Sequence, residues 1–163
     1  MRGENYVVRR GDPSVPILIT CEHASNAVPA EFELGVEPEL LESHWGWDRW
    51  ADDVLGRFAP QLGATTVSAR VSRLVIDVNR GRGDDTLIRS ACDGLLIPGN
   101  QDLSSDPVEE RVERLWRPYH AAVETELEGL VGRFGPERVV FFTFHSFSPD
   151  YGTRDRDFDV GVL

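Results

Sequence analysis

ILITCEH, residues 17–23, and VVFFTFH, residues 139–145, are two short apolar runs that each end in a histidine. Both are continuous and rich in β-branched and aromatic residues, which is typical of buried, central β-strands. A histidine just past such a strand lies at the carboxyl edge of the sheet, where open α/β sheets bind ligands. We therefore predict that His23 and His145 converge on one metal. The alternative is that each histidine only makes a local hydrogen bond near its own strand end.

The segments around these runs alternate between strand and helix patterns. Helical spacing of apolar residues predicts a helix ending before Gly63, and Asp106-Pro107 is typical of the start of a second, longer helix. This alternation predicts an α/β fold, a three-layer αβα domain with a mixed, largely parallel central sheet, over residues 1–163. The predicted strands are Tyr6–Arg9, Pro16–Glu22, Thr65–Ala69, Leu74–Val78, Val139–Phe144 and Phe158–Leu163, and the predicted helices are Pro38–Ser43, Trp47–Leu62 and Asp106–Arg133, with a long loop over Gly81–Gln101.

Charge and composition exclude several classes of partner. The net charge is −11 and all 17 basic residues are arginine, which argues against nucleic acid and anionic membrane surfaces and excludes a lysine Schiff base. No segment approaches the ~20 apolar residues of a membrane span. Cys21 and Cys92 form no metal-binding pair, and they fit a reduced, cytoplasmic chain.

A second polar signal is the run Ser72–Arg80 (SRLVIDVNR). Asp77 interrupts its apolar part, and Asn79 and Arg80 follow where a strand would end. The planar guanidinium of arginine forms paired hydrogen bonds with a carboxylate, so this pattern indicates a site for a small anion. The alternative is that Asp77 forms an ion pair with Arg73 or Arg80 that only holds a loop.

A third signal is Asp48, which follows Trp47 at the start of the first long helix. Carboxylates accompany histidines in catalytic zinc sites, but an acidic residue at a helix N-terminus is also common because of the helix dipole. His120 lies within the long helix, where an interior hydrogen bond is the more frequent role.

These runs together resemble the N-formylglutamate amidohydrolase family. The resemblance rests on Cys21–Pro29 (CEHASNAVP), Trp47-Asp48, Ser72–Arg80, Tyr119-His120 and His145-Ser146, which occur in the family's order from about residue 16 onward. The chain is also similar to the related zinc carboxypeptidases, which carry an Asn-Arg pair and a metal histidine followed by serine. The resemblance implies a zinc hydrolase that cleaves the N-acyl amide of an acidic amino acid, releasing formate and glutamate in the type member.

The resemblance also implies roles for individual residues. His23 and His145 would bind zinc, or another divalent metal, with Asp48 preferred as the third ligand, then Glu22, then Asn26. Arg80, helped by Arg73 and Asn79, would bind the substrate carboxylate. The remaining candidates are Glu22 as general base, and Ser25, Asn26, Asp77 and Ser146 as residues that orient the ligands.

Family members usually continue beyond this length, so the resemblance implies a C-terminally truncated chain that lacks further strands and the glutamate expected as general base. The alternative function is therefore a non-catalytic domain that still binds a metal or a small anion. Within the amidohydrolase reading, other N-acyl amino acids stay open as substrates.

We expect the chain to be poorly soluble or to form a homo-oligomer, because an apolar terminal strand leaves a sheet edge open for pairing. Gel filtration of the purified chain measures this directly. A clean monomer would contradict the expectation.

Overall fold

A computed structural model describes residues 5–148, 150–151, 154–155 and 160–162 of the chain. Its strands are β1 (Tyr6–Arg9), β2 (Ile17–Cys21), β3 (Thr65–Ala69), β4 (Ala91–Cys92), β5 (Leu95–Leu96), β6 (Val140–Thr143), β7 (Asp150–Tyr151) and β8 (Arg154–Asp155). Its α-helices are α1 (Pro38–Glu42), α2 (Ala51–Leu62), α3 (Ser105–Arg111) and α4 (Arg117–Phe134). A π-helical segment, Val112–Trp116, joins α3 to α4, so the long helix predicted from Asp106 is present.

The main sheet has four strands in the order β1-β3-β2-β6. Strand β2 pairs in parallel with both β3 and β6, and β1 pairs antiparallel with β3. The sheet is therefore mixed and mostly parallel, as the alternating sequence pattern predicts. Parallel pairing places the ends of β2 and β6 at the same edge of the sheet.

Helices cover both faces of this sheet. Leu18 and Ile19 are both fully buried, and as neighbours in β2 they point to opposite faces. Leu18 belongs to an apolar cluster with Tyr119 and Leu130 of α4. Ile19 belongs to a cluster with Ala51 and Leu55 of α2. The resulting helix–sheet–helix layering confirms an α/β architecture.

Strand β6 is not the buried central strand that the sequence predicts. Within the part of the chain that the structure describes, β6 pairs only with β2 and forms an edge of the sheet. Val140 is 51% exposed and Phe141 is 45% exposed. The apolar composition of the run therefore predicted a strand correctly but not its burial, because composition does not report how many neighbours a strand has.

The strand predicted over Leu74–Val78 is wrong, although the segment is buried. Its backbone groups bond to turns and side chains instead of a neighbouring strand. The carbonyl of Leu74 accepts a hydrogen bond from Asn100, and that of Val75 accepts one from Arg111. Because these partners satisfy the buried backbone without a ladder, the segment can be apolar and non-extended. The strand predicted over Phe158–Leu163 falls outside the described residues apart from 160–162, which have no regular structure.

The other boundaries differ from the predicted ones in small ways. Helix α2 begins at Ala51 instead of Trp47, because the backbone at Trp50 is left-handed, with φ of 66°. The predicted loop from Gly81 contains the β4–β5 hairpin and a short 3-10 turn over Pro98–Asn100. Among the described residues, no helix combines the length and apolar character needed to cross a membrane.

Gly46 precedes Asp48 in a tightly packed turn, so replacing it with alanine should displace this segment. An added Cβ would overlap the backbone carbonyl of Leu41, and the Gly46 carbonyl accepts a hydrogen bond from Ser72. We expect Gly46→Ala to cost about 1–3 kcal/mol, measured as the free energy of urea unfolding.

Gly56→Ala is the matched control, because a Cβ at this position of α2 meets nothing within 4 Å. It should stabilise the chain by up to about 1 kcal/mol through helix propensity. Equal effects of the two substitutions would contradict the packing described for the Asp48 segment.

Candidate active site

The ends of β2 and β6 bring the two predicted histidines together. The His23 and His145 ring centroids are 5.0 Å apart. His23 directly follows Glu22 at the end of β2, and His145 follows Phe144, whose amide still donates to the Thr20 carbonyl and extends the β2–β6 pairing. The predicted convergence of the two strand ends is present in the fold.

Asp48 lies between the two histidines. Its Oδ2 is 2.8 Å from Nδ1 of His145, and its Oδ1 is 3.5 Å from Nδ1 of His23. Its backbone amide donates to the His23 carbonyl and its own carbonyl accepts from Ala51, the first residue of α2. These backbone bonds explain how a loop residue is held against two strand ends.

His23, Asp48 and His145 form a group that can hold a metal ion. One potential ligand atom from each residue lies within 4.8 Å of the others. His23 and Asp48 are buried, and the His145 side chain is 31% exposed. A mostly buried site with one open side suits a bound metal that a substrate must reach.

Asp77 is fully buried behind His23. Its Oδ1 is 2.8 Å from Nε2 of His23, and it also accepts a hydrogen bond from the Asn79 amide. Metal-binding histidines commonly donate their second N–H to a carboxylate, which fixes the tautomer. The alternative of a simple loop ion pair is also partly present, because Arg73 and Arg80 approach the other Asp77 oxygen at 3.5 Å and 3.8 Å.

The two arginines of the predicted anion site have different surroundings. Arg73 has a 16% exposed side chain and lies 3.5 Å from both Asp48 and Asp77. Arg80 is 37% exposed, and its nearest contacts with Asp77 and Asp84 are long, at 3.8 Å and 4.0 Å. Arg80 is therefore the more available guanidinium, and Asn79 beside it is exposed.

Glu22 lies on the other side of His145. It is 6% exposed, Oε1 accepts a hydrogen bond from the Tyr119 hydroxyl at 3.2 Å, and Oε2 is 3.4 Å from Nε2 of His145. Tyr119 was not singled out as a site residue from the sequence. The Tyr119-His120 pair, which is part of the family resemblance, was a usable signal, because a buried tyrosine hydroxyl needs a partner.

The remaining candidates hold loops near the site. The Asn26 amide donates to Glu42, and the Ser146 hydroxyl donates to the Arg49 carbonyl. Ser25 accepts from the Ala27 amide. His120 bonds through Nε2 to the Val78 carbonyl, which matches the interior role expected for a histidine in this helix.

Local interactions shift the pKa values of the central groups. Burial raises the pKa of Asp48, but hydrogen bonds from His145 and His23 outweigh it and lower the pKa from 3.8 to about 2. Burial likewise opposes the lowering of the Asp77 pKa, which hydrogen bonding to His23 produces. The pKa of His23 is raised, because hydrogen bonds to Asp48 and Asp77 outweigh its burial. Both carboxylates are therefore ionised at neutral pH.

The lowered Asp48 pKa predicts an acid-dependent loss of stability in the metal-free chain. Since the pKa is lower in the folded than in the unfolded state, this stabilisation is complete above about pH 4 and is lost as the pH falls toward 2. The loss should reach up to about 2 kcal/mol, measured by urea unfolding from pH 5 to pH 2.

Asp48→Asn should flatten this pH dependence, whereas Asp53→Asn, which changes an exposed carboxylate on α2, should leave it in place. Parallel curves for the wild type and Asp48→Asn would contradict the hydrogen bonding described for Asp48.

Comparison with known proteins gives one consistent family. A family model described as N-formylglutamate amidohydrolase matches residues 15–163. Proteins named N-formylglutamate deformylase from Pseudomonas aeruginosa and Pseudomonas putida are each 33% identical over 134 residues, covering 74% of this chain and 48% of their own length. The chain thus spans about half the length of these two relatives.

Two solved structures share the fold. A gene product of Agrobacterium tumefaciens is 34% identical with a TM-score of 0.85, over 95% of this chain and 61% of that protein. The N-formylglutamate amidohydrolase from Ralstonia eutropha is 27% identical with a TM-score of 0.73, over 85% of this chain and 55% of that protein. With a family model that matches nearly all of its residues, the chain belongs to the N-formylglutamate amidohydrolase family.

Proposed function

We propose that this chain hydrolyses the N-acyl amide of an acidic amino acid, with N-formylglutamate as the first candidate substrate. The observation that carries the proposal is the convergence of His23, Asp48 and His145 on one point. The names of the two Pseudomonas relatives support the choice of substrate. The products would be formate and the free amino acid.

The donor set fits a divalent metal such as zinc. Two imidazoles and one carboxylate are a common set of protein ligands in catalytic zinc sites. Three buried carboxylates, those of Glu22, Asp48 and Asp77, surround the histidines. Arg73 lies within 4 Å of Asp48 and Asp77, and the more exposed Arg80 lies 3.8 Å from Asp77. This excess of buried negative charge favours a bound cation.

A metal held by these residues would polarise the acyl carbonyl and activate water for attack on it. The chain's own contribution is to fix the ligands: Asp77 accepts from Nε2 of His23 and leaves Nδ1 on the side of Asp48. Such a hydrogen bond would fix the tautomer and the orientation of His23 as a metal ligand.

Arg80 is proposed to bind the substrate carboxylate. Its long contacts with Asp77 and Asp84 leave hydrogen-bonding capacity for a ligand, and its 37% exposure gives access from solvent. Asn79 is adjacent and exposed, so it can contribute a further polar contact. Arg80 lies beside Asp77, which contacts His23, so a carboxylate bound by Arg80 would hold the scissile amide near the histidines and reduce the entropy cost of attack.

Arg73 is proposed to act mainly through Asp48 and Asp77, both of which it contacts at 3.5 Å. The parallel strands with ligands at their carboxyl edge are compatible with a zinc-carboxypeptidase-like fold, which we propose as the broader relationship. Cys21 and Cys92 are both free and buried, which supports our expectation of a cytoplasmic setting.

The direct test is elemental analysis of the purified chain together with formate release from N-formylglutamate, with and without added zinc. The proposal predicts about one zinc per chain and turnover that a chelator abolishes. Stoichiometric zinc without turnover would favour the alternative, a domain that binds a metal but does not catalyse. Absence of any bound metal would contradict the proposal.

Replacing Arg80 should affect anionic substrates selectively. Arg80→Ala removes the proposed partner of the substrate carboxylate, so kcat/KM for N-formylglutamate should fall by roughly 10- to 100-fold, in line with the loss of one charge-assisted hydrogen bond. A neutral N-formyl amino acid amide should be affected little.

Arg82→Ala is the matched control, because Arg82 lies in the same segment but pairs with Glu109 on α3. It should leave both substrates unaffected. Equal losses for the anionic and the neutral substrate in Arg80→Ala would contradict the assignment of Arg80.

A further inference from the structure

The two histidines have matching surroundings. In each ring Nδ1 faces Asp48, at 3.5 Å for His23 and 2.8 Å for His145. In each ring Nε2 faces a different buried carboxylate, Asp77 at 2.8 Å for His23 and Glu22 at 3.4 Å for His145. Glu22 therefore lies on the Nε2 side of His145, as Asp77 lies on the Nε2 side of His23, but at a longer distance.

The two oxygens of the Glu22 carboxylate differ in their hydrogen bonding. One oxygen accepts the Tyr119 hydroxyl hydrogen bond, whereas the buried Oε2 has no hydrogen-bond partner within the described part of the chain. A buried carboxylate oxygen without a partner costs free energy. Nε2 of His145 lies 3.4 Å from this oxygen and is positioned to become its partner.

Tyr119, which donates the hydrogen bond to Glu22, is itself tightly packed. It is 1% exposed and lies in the first turn of α4, directly after the π-helical segment Val112–Trp116. Two neighbours of Tyr119 contact the segment that ends in Arg80. Trp116, the last residue of the π-helical segment, donates to the Arg80 carbonyl, and His120 in α4 forms a hydrogen bond with the Val78 carbonyl. Single π-helical turns often occur at functional sites, and this one ends at Trp116, just before Tyr119 and His120.

We propose that Glu22, held by Tyr119, is a positioning residue that accepts the Nε2 hydrogen of His145 and so keeps Nδ1 directed at Asp48. This role differs from the general base or the metal ligand that the sequence suggested for Glu22. It rests on the proposed function, because it assumes that His145 binds a metal. Each histidine then has its own carboxylate, and Tyr119 becomes part of the site through its hydrogen bond to Glu22.

The test measures zinc affinity by competition with a chelator at one fixed pH, and the visible absorption of the cobalt-substituted chain. Glu22→Gln should weaken zinc binding by roughly 10- to 100-fold, the range found for residues that orient metal ligands. Tyr119→Phe should weaken it in the same direction by a few-fold, and both variants should alter the cobalt spectrum. In the Glu22→Gln background, Tyr119→Phe should add little, because the two residues act in one chain of contacts.

Tyr6→Phe is the matched control, since Tyr6 is a partly buried tyrosine packed against the same apolar cluster as Tyr119. It should leave zinc affinity and the cobalt spectrum unchanged. Unaltered affinity and spectrum in both Glu22→Gln and Tyr119→Phe would overturn the inference, even if their thermal stability fell.

Two further outcomes are informative. Loss of turnover in Glu22→Gln with unchanged zinc affinity would assign Glu22 to the chemical step and overturn the positioning role. A wild-type chain that binds no zinc would overturn the proposed function, and the inference with it. Failure of the inference alone is recognised by zinc binding in the wild type that the substitutions do not change.

Discussion

The site depends on one carboxylate, that of Asp48, which lies between two histidines delivered by different strands. Its two oxygens face Nδ1 of His23 and of His145. The low pKa of Asp48, about 2, follows from these two contacts despite burial that opposes ionisation. The residue that joins the two histidines therefore belongs to neither strand β2 nor strand β6.

Several charged groups buried close together need hydrogen bonds and ion pairs to be stable. Asp77 supports His23 and receives the Asn79 amide, while Arg73 lies within 3.5 Å of both Asp48 and Asp77. On the other side, Glu22 lies 3.4 Å from Nε2 of His145 and accepts a hydrogen bond from Tyr119. Helix α4 carries Tyr119 and also holds the segment that ends in Arg80 through Trp116 and His120. The residues around this helical turn thus connect Glu22, beside His145, with the segment that carries Arg80.

Sequence patterns predicted the parts that depend on local chemistry. Strand β2, helix α2 and the long helix ending at Phe134 follow from apolar spacing and from glycine and proline at their ends. The meeting of His23 and His145 followed from the rule that parallel strands end at one sheet edge. What the sequence could not provide was long-range pairing. The Leu74–Val78 run has a strand-like composition, but Asn100 and Arg111 bind its carbonyls and remove the need for a neighbouring strand.

The hydrogen bond between Tyr119 and Glu22 is also a long-range contact, and nothing in the sequence near either residue specifies it.

The most direct test of the proposed metal site is an anomalous difference map at the zinc absorption edge, from a crystal of the chain grown with zinc. If these residues hold the metal, a zinc peak lies between His23, Asp48 and His145, with Asp77 and Glu22 behind the two imidazoles. Zinc bound elsewhere, with these three residues left in contact only with one another, would contradict it.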